Sequence, residues 1–75
     1  MTISMRQIKK KMEELFIAWA ERDDDSYFEF YNSFRTMRYV GLITSETWDK
    51  IYDIDRELFT SYCDETLFAK YIERA

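Results

Sequence analysis

The sequence predicts a single all-α domain, a small helical bundle of three main helices followed by a short C-terminal helix. Its apolar residues recur at spacings of three and four, which is the period of an amphipathic helix. One glycine and no proline among 75 residues leave little of the turn chemistry that β-hairpins need. Aromatic residues make up 19% of the chain, which is far more than disordered chains carry. We therefore expect one folded unit over residues 1–75, with no internal linker or repeat.

The first helix is predicted over about residues 5–21. Ser4 and Gln7 form a capping box at its start, and Ile3 is placed to contact Ile8 as a hydrophobic staple. Spacings of three and four put one apolar stripe along the helix. The residues of this stripe are Met5, Ile8, Met12, Leu15 and Trp19, with Phe16 beside them.

The second helix is predicted over about residues 26–40. Ser26 and Glu29 are spaced as a second capping box after three consecutive aspartates. Gly41 follows at the position where a helix end needs a residue of positive φ, and Leu42 is placed to close the accompanying hydrophobic contact. The predicted core face consists of Tyr27, Phe30, Tyr31, Phe34 and Met37.

The third helix is predicted over about residues 45–63. Thr44 is its expected N-cap, and Ile43 is placed to contact Trp48 as a staple. At 100° per residue, one broad apolar arc follows the helix. The arc collects Trp48, Ile51, Tyr52, Ile54, Leu58, Phe59, Tyr62 and Cys63.

A break is predicted near residues 63–66, because continuing the third helix would turn Leu67 and Phe68 toward its polar side. Asp64 would then cap a fourth helix over about residues 65–74. This helix is expected to bury Leu67, Phe68, Tyr71 and Ile72. The alternative is one long helix with apolar groups on two sides, which would require an oligomer.

Acidic residues on one side of the third helix are the sharpest feature of a chain whose net charge is −4. They lie at spacings of 3, 4 and 4, within about 80° of one another on the helical wheel. We call them the acidic row: Glu46, Asp49, Asp53 and Glu57. With Asp23, Asp24 and Asp25 they are expected to form an anionic face. That face is either an ordinary solvated surface or a docking site for a basic partner, in imitation of the regularly spaced phosphates of nucleic acid.

A basic cluster lies within the first eleven residues, away from the acidic residues in the sequence. Residues 1–11 contain no acid, and they hold Arg6, Lys9, Lys10 and Lys11. One interpretation is a solvated helical turn in which Lys9 and Lys10 pair with Glu13 and Glu14 at i,i+4. The alternatives are a contact with nucleic acid, with a membrane, or with the acidic end of a second copy.

Two further features carry open interpretations. Phe28, Arg35 and Tyr39 lie on the flank of the second helix, where they would either stack nucleic-acid bases or pack on a second neighbouring helix. Asp55 falls in the middle of the apolar arc of the third helix. Since a buried carboxylate is costly without a partner, we expect it to pair with a cation such as Arg35 or Arg38, or to lie at the edge of an interface.

Enzymatic chemistry is not expected. The chain has no histidine, and its single cysteine, Cys63, therefore lacks a base to activate it. One glycine is too few for a phosphate-binding loop, and the run of three aspartates lacks the pattern of a calcium loop. We expect no cofactor and no metal.

The longest unbroken apolar run, residues 15–20, is far shorter than the ~20 residues that span a bilayer. We therefore expect a cytoplasmic protein without a membrane partner.

The favoured hypothesis is a non-enzymatic protein-binding module that inhibits a larger protein by occupying its basic, nucleic-acid-binding surface. In its small size, acidity and helical character, the chain is similar to phage-encoded inhibitors of bacterial defence, including anti-CRISPR proteins. That similarity implies the cytoplasm of a bacterial host. The first alternative is a homo-oligomeric scaffold or regulator. The second is a nucleic-acid-binding accessory protein that uses the basic cluster, and the acidic third helix argues against it.

Overall fold

The computed structural model describes residues 4–74, without the side chain of Arg74. The chain forms four helices: α1 (Met5–Arg22), α2 (Ser26–Tyr39), α3 (Ser45–Tyr62) and α4 (Glu65–Arg74). The predicted fold class and helix order are confirmed, and each predicted boundary agrees to within one residue. The predicted staple of Ile3 on Ile8 lies outside the described residues.

Helix α1 begins with the predicted capping box. The Gln7 N–H donates to Ser4 Oγ at 3.2 Å, and the Ser4 N–H donates back to Gln7 Oε1 at 2.9 Å. The helix ends at Asp23, whose φ of 54° lies in the left-handed region that aspartate tolerates better than most residues. The Asp23 N–H donates to the Trp19 carbonyl at 3.0 Å and so satisfies one of the last carbonyls of the helix.

Helix α2 begins at the predicted residue, but the hydrogen bonds at its start differ from the prediction. The capping box of Ser26 and Glu29 is wrong, because the N–H and the hydroxyl of Ser26 both donate to Asp24 Oδ1, at 2.9 and 2.6 Å. The hydroxyl of Ser26 is thus engaged as a donor in the first turn of the helix. Asp24 accepts these two hydrogen bonds because it lies two residues before Ser26, where a carboxylate closes a local turn.

The end of α2 confirms the role predicted for Gly41, which has a φ of 83°. The Leu42 N–H donates to the Met37 carbonyl at 2.8 Å, and the Gly41 N–H donates to the Arg38 carbonyl at 3.2 Å. These two hydrogen bonds define a Schellman motif. Leu42 itself remains largely exposed, so the hydrophobic contact predicted for it covers little of its side chain.

The break between α3 and α4 is confirmed, and the single long helix is wrong. Helix α3 begins at the predicted cap, where Thr44 Oγ1 accepts a hydrogen bond from the Thr47 N–H at 3.1 Å. At its other end Cys63 is extended, with a ψ of 118°. Asp64 Oδ1 then accepts from the Leu67 N–H at 2.9 Å and caps α4 as predicted.

The core lies between α1, α2 and α3. Phe16 is fully buried, and its ring meets those of Trp19 and Tyr27 edge-on at centroid distances of 5.4 and 5.1 Å. Such edge-to-face contacts are favourable beyond the area that they bury. Nine buried residues form this core: Ile8, Met12, Phe16, Trp19, Tyr27, Phe34, Ile51, Ile54 and Leu58.

Helix α4 packs against the bundle along one edge only. Leu67 and Tyr71 pack against the core as predicted, but Phe68 and Ile72 are about half exposed, so their predicted burial is wrong. Tyr52 and Tyr62 of the predicted α3 arc are likewise exposed. The apolar pattern therefore includes more residues than the bundle can bury.

Candidate functional site

The acidic row follows the solvent-facing side of α3. All four of its side chains are exposed, on the side of the helix opposite the buried residues Ile51 and Leu58. At 1.5 Å per residue, the eleven-residue step from Glu46 to Glu57 makes a line about 16 Å long. The helix that carries this line is fixed by its buried side and by the Thr44 cap. The sequence therefore places four carboxylates on a rigid support.

Most of the charge of the acidic row is unneutralised within the chain. Lys9 Nζ lies 3.9 Å from Glu57 Oε2, and both side chains are largely exposed, so this ion pair is weak. Among residues 4–73, no lysine or arginine forms a salt bridge with Glu46, Asp49 or Asp53. Three of the four carboxylates are thus available to cations of another molecule.

The three consecutive aspartates form a separate group at the α1–α2 turn. Asp23 forms an ion pair with Lys70 of α4. Asp24 accepts the two hydrogen bonds from Ser26, and they hold the pKa of its carboxyl below the usual value. The turn lies fourteen residues beyond Lys9 on α1, which is about 21 Å along the helix axis. The structure therefore places Asp23, Asp24 and Asp25 beyond the Lys9–Glu57 contact.

The basic cluster adjoins the acidic row at Lys9. Its four side chains are all exposed on α1. Arg6, Lys9 and Lys10 lie within about 100° of one another on the helical wheel, whereas Lys11 points about 140° away from Arg6. The observed ion pair of Lys9 is with Glu57 of α3 rather than with Glu13 one turn along α1. Positive and negative surfaces therefore meet along the α1–α3 side of the bundle.

Phe28, Arg35 and Tyr39 do not form one surface. Phe28 packs partly buried against the core, with its ring 5.3 Å from that of Trp19 and 6.1 Å from that of Tyr71. The interpretation that Phe28 packs on a second neighbouring helix is confirmed. Arg35 and Tyr39 are exposed further along α2.

A further apolar surface lies where α2 turns into α3, and helical periodicity does not predict it. Tyr39, Val40 and Leu42 are 90%, 65% and 74% exposed, and we call them the α2–α3 corner. Beside them, Arg38, Tyr39 and Trp48 line an open cavity of about 420 Å³. The large apolar residues on both sides of the single glycine could have indicated this surface, since residues of an exposed turn are not buried in the core.

Asp55 is buried and has partners other than those expected. Its carboxylate accepts hydrogen bonds from the hydroxyls of Tyr27 and Tyr71, the latter at 2.7 Å. The predicted pairing with Arg35 or Arg38 is therefore wrong, because two phenol donors satisfy the carboxylate without a buried cation. Burial and these bonds to Asp55 raise the pKa of both tyrosines.

Three further features concern the cysteine, metal binding and membrane insertion. Burial, with a smaller contribution from Asp64, raises the pKa of the Cys63 thiol, which disfavours the nucleophilic thiolate. In the described part of the chain, no three or more cysteine or acidic side chains are grouped to hold a metal ion. No helix within residues 4–74 combines the length and apolar character needed to cross a bilayer.

Comparison with protein-family models, with curated proteins and with solved structures finds no match to this chain.

Proposed function

We propose that this chain is a non-enzymatic binding module that docks its acidic row on a basic surface of a larger protein. By occupying that surface it would inhibit the binding of nucleic acid there. The observation that carries the proposal is the exposure of Glu46, Asp49 and Asp53 on one rigid line, with no salt bridge to a described residue.

The spacing of the acidic row supports binding to a surface that normally binds the phosphates of nucleic acid. Neighbouring acids are separated by about 4.5 to 6 Å along the helix axis. One strand of duplex DNA carries a phosphate every ~3.4 Å along its axis, so the row offers a similar but sparser line of negative charge. Lysine and arginine side chains are long enough to adjust to that difference.

The cost of the acidic row within the chain also supports a role in binding. Like charges at i,i+4 repel by roughly 0.2–0.5 kcal/mol per pair, and both Asp49 with Asp53 and Asp53 with Glu57 have this spacing. A partner that supplies cations relieves this repulsion. Because α3 is already ordered by its buried side, little conformational entropy is lost when it docks.

We place this activity in the cytoplasm, and a phage-encoded inhibitor of a bacterial defence protein is the setting that we favour. The unpaired Cys63 fits a reducing compartment. Bacterial defence proteins that cleave or bind nucleic acid offer basic surfaces of the required kind.

The proposal is tested by capture from a bacterial lysate with three baits: wild type, a row variant and a charge-matched control. The row variant carries Glu46→Gln, Asp49→Asn, Asp53→Asn and Glu57→Gln. The control neutralises four exposed acids away from the row, and it carries Glu14→Gln, Glu21→Gln, Glu29→Gln and Glu73→Gln.

We expect wild type and control to retain the same nucleic-acid-binding protein, and the row variant to lose it. Adding wild-type protein should then release labelled nucleic acid from the captured partner. A partner that all three baits retain equally, or one that keeps its nucleic acid, would contradict the proposal.

A further inference from the structure

The α2–α3 corner is an apolar surface on a fixed backbone. Isolated exposed apolar residues are ordinary, but Tyr39, Val40 and Leu42 lie within four consecutive residues and each is mostly exposed. The two hydrogen bonds of the Schellman motif and the left-handed Gly41 hold the turn between them. Such a surface loses little entropy on being covered.

Opposite charges flank this corner. Arg38 lies in the last turn of α2, and Glu46 lies in the first turn of α3. Both side chains are exposed, and neither forms a salt bridge with a described residue. The corner is thus an apolar centre with a cation on the α2 side and an anion on the α3 side.

This arrangement is self-complementary under a two-fold axis. In an isologous dimer, groups on opposite sides of the axis meet, so that residue i contacts j and j contacts i. Two copies docked corner to corner would therefore bring each Arg38 to the Glu46 of the other copy. The same contact would cover Tyr39, Val40 and Leu42 of both copies.

We propose that the α2–α3 corner is the docking site for a second copy of this chain, with Arg38 of each copy paired to Glu46 of the other. A foreign partner would have to supply an apolar patch, an anion and a cation in matching order, whereas a second copy supplies all three. The corner offers three apolar residues per copy, whereas a standard interface of about 1,200–2,000 Å² uses about 20–30 residues a side. We therefore expect dissociation constants in the micromolar range. Asp49, Asp53 and Glu57 lie further along α3, so the dimer leaves most of the acidic row open.

The test is sedimentation equilibrium of the full chain over a concentration range of micromolar to several hundred micromolar. Wild type should shift from monomer to dimer within that range. Val40→Ser with Leu42→Ser should move the shift at least tenfold higher, while Ile17→Ser, at an isolated exposed residue, should leave it in place.

Charge reversal separates a contact between copies from an effect within one copy. Arg38→Glu and Glu46→Arg should each weaken dimerisation at least tenfold, because each variant by itself brings like charges together at both contacts. An equimolar mixture of the two variants should dimerise like wild type. In the mixed dimer, positions 38 and 46 of the two chains again carry opposite charges at both contacts. Circular dichroism checks that every variant is folded.

A wild-type protein that stays monomeric throughout the range would overturn the proposal. So would a mixture that dimerises no better than its components. Neither result decides the capture experiment, because three of the four acids that the row variant changes, Asp49, Asp53 and Glu57, lie outside the dimer contact.

Discussion

The carboxylate of Asp55 accepts a hydrogen bond from the hydroxyl of Tyr71, 2.7 Å away, across the break between α3 and α4. Its other oxygen accepts from Tyr27 of α2. A single buried carboxylate therefore joins three helices. Hydrogen bonds to a charged group stabilise a fold by roughly 1.5–3 kcal/mol each, and an orphaned buried partner costs a further amount.

Replacing Asp55 by Ala should lower the free energy of unfolding by about 3–5 kcal/mol, because the hydroxyls of buried Tyr27 and half-buried Tyr71 lose their acceptor. Asp53→Ala, two residues earlier on the exposed side of α3, should change it by at most about 0.5 kcal/mol. Urea denaturation followed by tryptophan fluorescence measures both. Equal effects of the two substitutions would show that the Asp55 contacts contribute nothing.

Stability should fall as the pH rises above about 10. The unfolded chain releases the Tyr27 proton near its ordinary pKa, whereas burial and the bond to Asp55 raise the pKa of the folded group. Above pH 10 the unfolded state therefore binds fewer protons than the folded state, and the free energy of unfolding decreases. The stabilisation is complete below that pH.

The variant Tyr27→Phe isolates this contribution. It should be less stable at pH 7, but its stability should decline less steeply above pH 10, by up to about 1.4 kcal/mol per pH unit. Thermal unfolding at a series of pH values between 8 and 11.5 is the measurement. Parallel curves for the two proteins would contradict the assignment.

Helix α4 should open more readily than the rest of the bundle when its cap is removed. Asp64→Ala deletes the acceptor of the Leu67 N–H and should destabilise α4 by about 1 kcal/mol. Native-state hydrogen exchange should then be faster in α4, with the amides around Ile51 in α3 little changed. Uniform acceleration across α3 and α4 would instead indicate that the two helices open as one unit.

Direct nucleic-acid binding is expected to be weak. The basic cluster is small, one of its lysines pairs with Glu57, and the whole chain carries a net charge of −4. At physiological salt we expect no selective complex with single- or double-stranded nucleic acid by fluorescence anisotropy. A submicromolar complex that is lost when Arg6, Lys9, Lys10 and Lys11 are changed to Gln would favour the nucleic-acid-binding alternative.

The helices could be predicted from the sequence because their signals are local. The apolar spacing sets each face, and the caps at Ser4, Thr44 and Asp64 involve residues only three positions apart. The first residue of α2 was predicted, but its capping hydrogen bonds were not, because Asp24, Asp25 and Ser26 all offer cap chemistry. Which of them accepts depends on the path of the incoming chain.

The partners of Asp55 could not be predicted for a different reason. An apolar pattern treats Tyr27 and Tyr71 as core residues only, although each also carries a hydroxyl that can donate when buried. Their convergence on Asp55 depends on how α2 and α4 meet α3. Likewise, a helical wheel identifies the apolar side of α4 but not how much of it the bundle covers, and so Phe68 and Ile72 are exposed.

The exposure of the acidic row was predictable, since residues opposite a core stripe face solvent. The separation of the acidic row from Asp23, Asp24 and Asp25 was not predictable, because the distance between the two groups depends on how far α3 extends beside α1. The α2–α3 corner was missed because its residues belong to no helical stripe.

Association kinetics test most directly whether the acidic row steers the chain onto a basic partner. The captured partner is titrated with wild type, row variant and charge-matched control at low and high salt. We predict that the row variant associates at least tenfold more slowly than the control at low salt, because long-range attraction accelerates such encounters.

The wild-type rate should itself fall as salt shortens the Debye length from ~10 Å toward ~3 Å, while the rate of the row variant changes little. Association rates that are equal for the three proteins and independent of salt would contradict the claim.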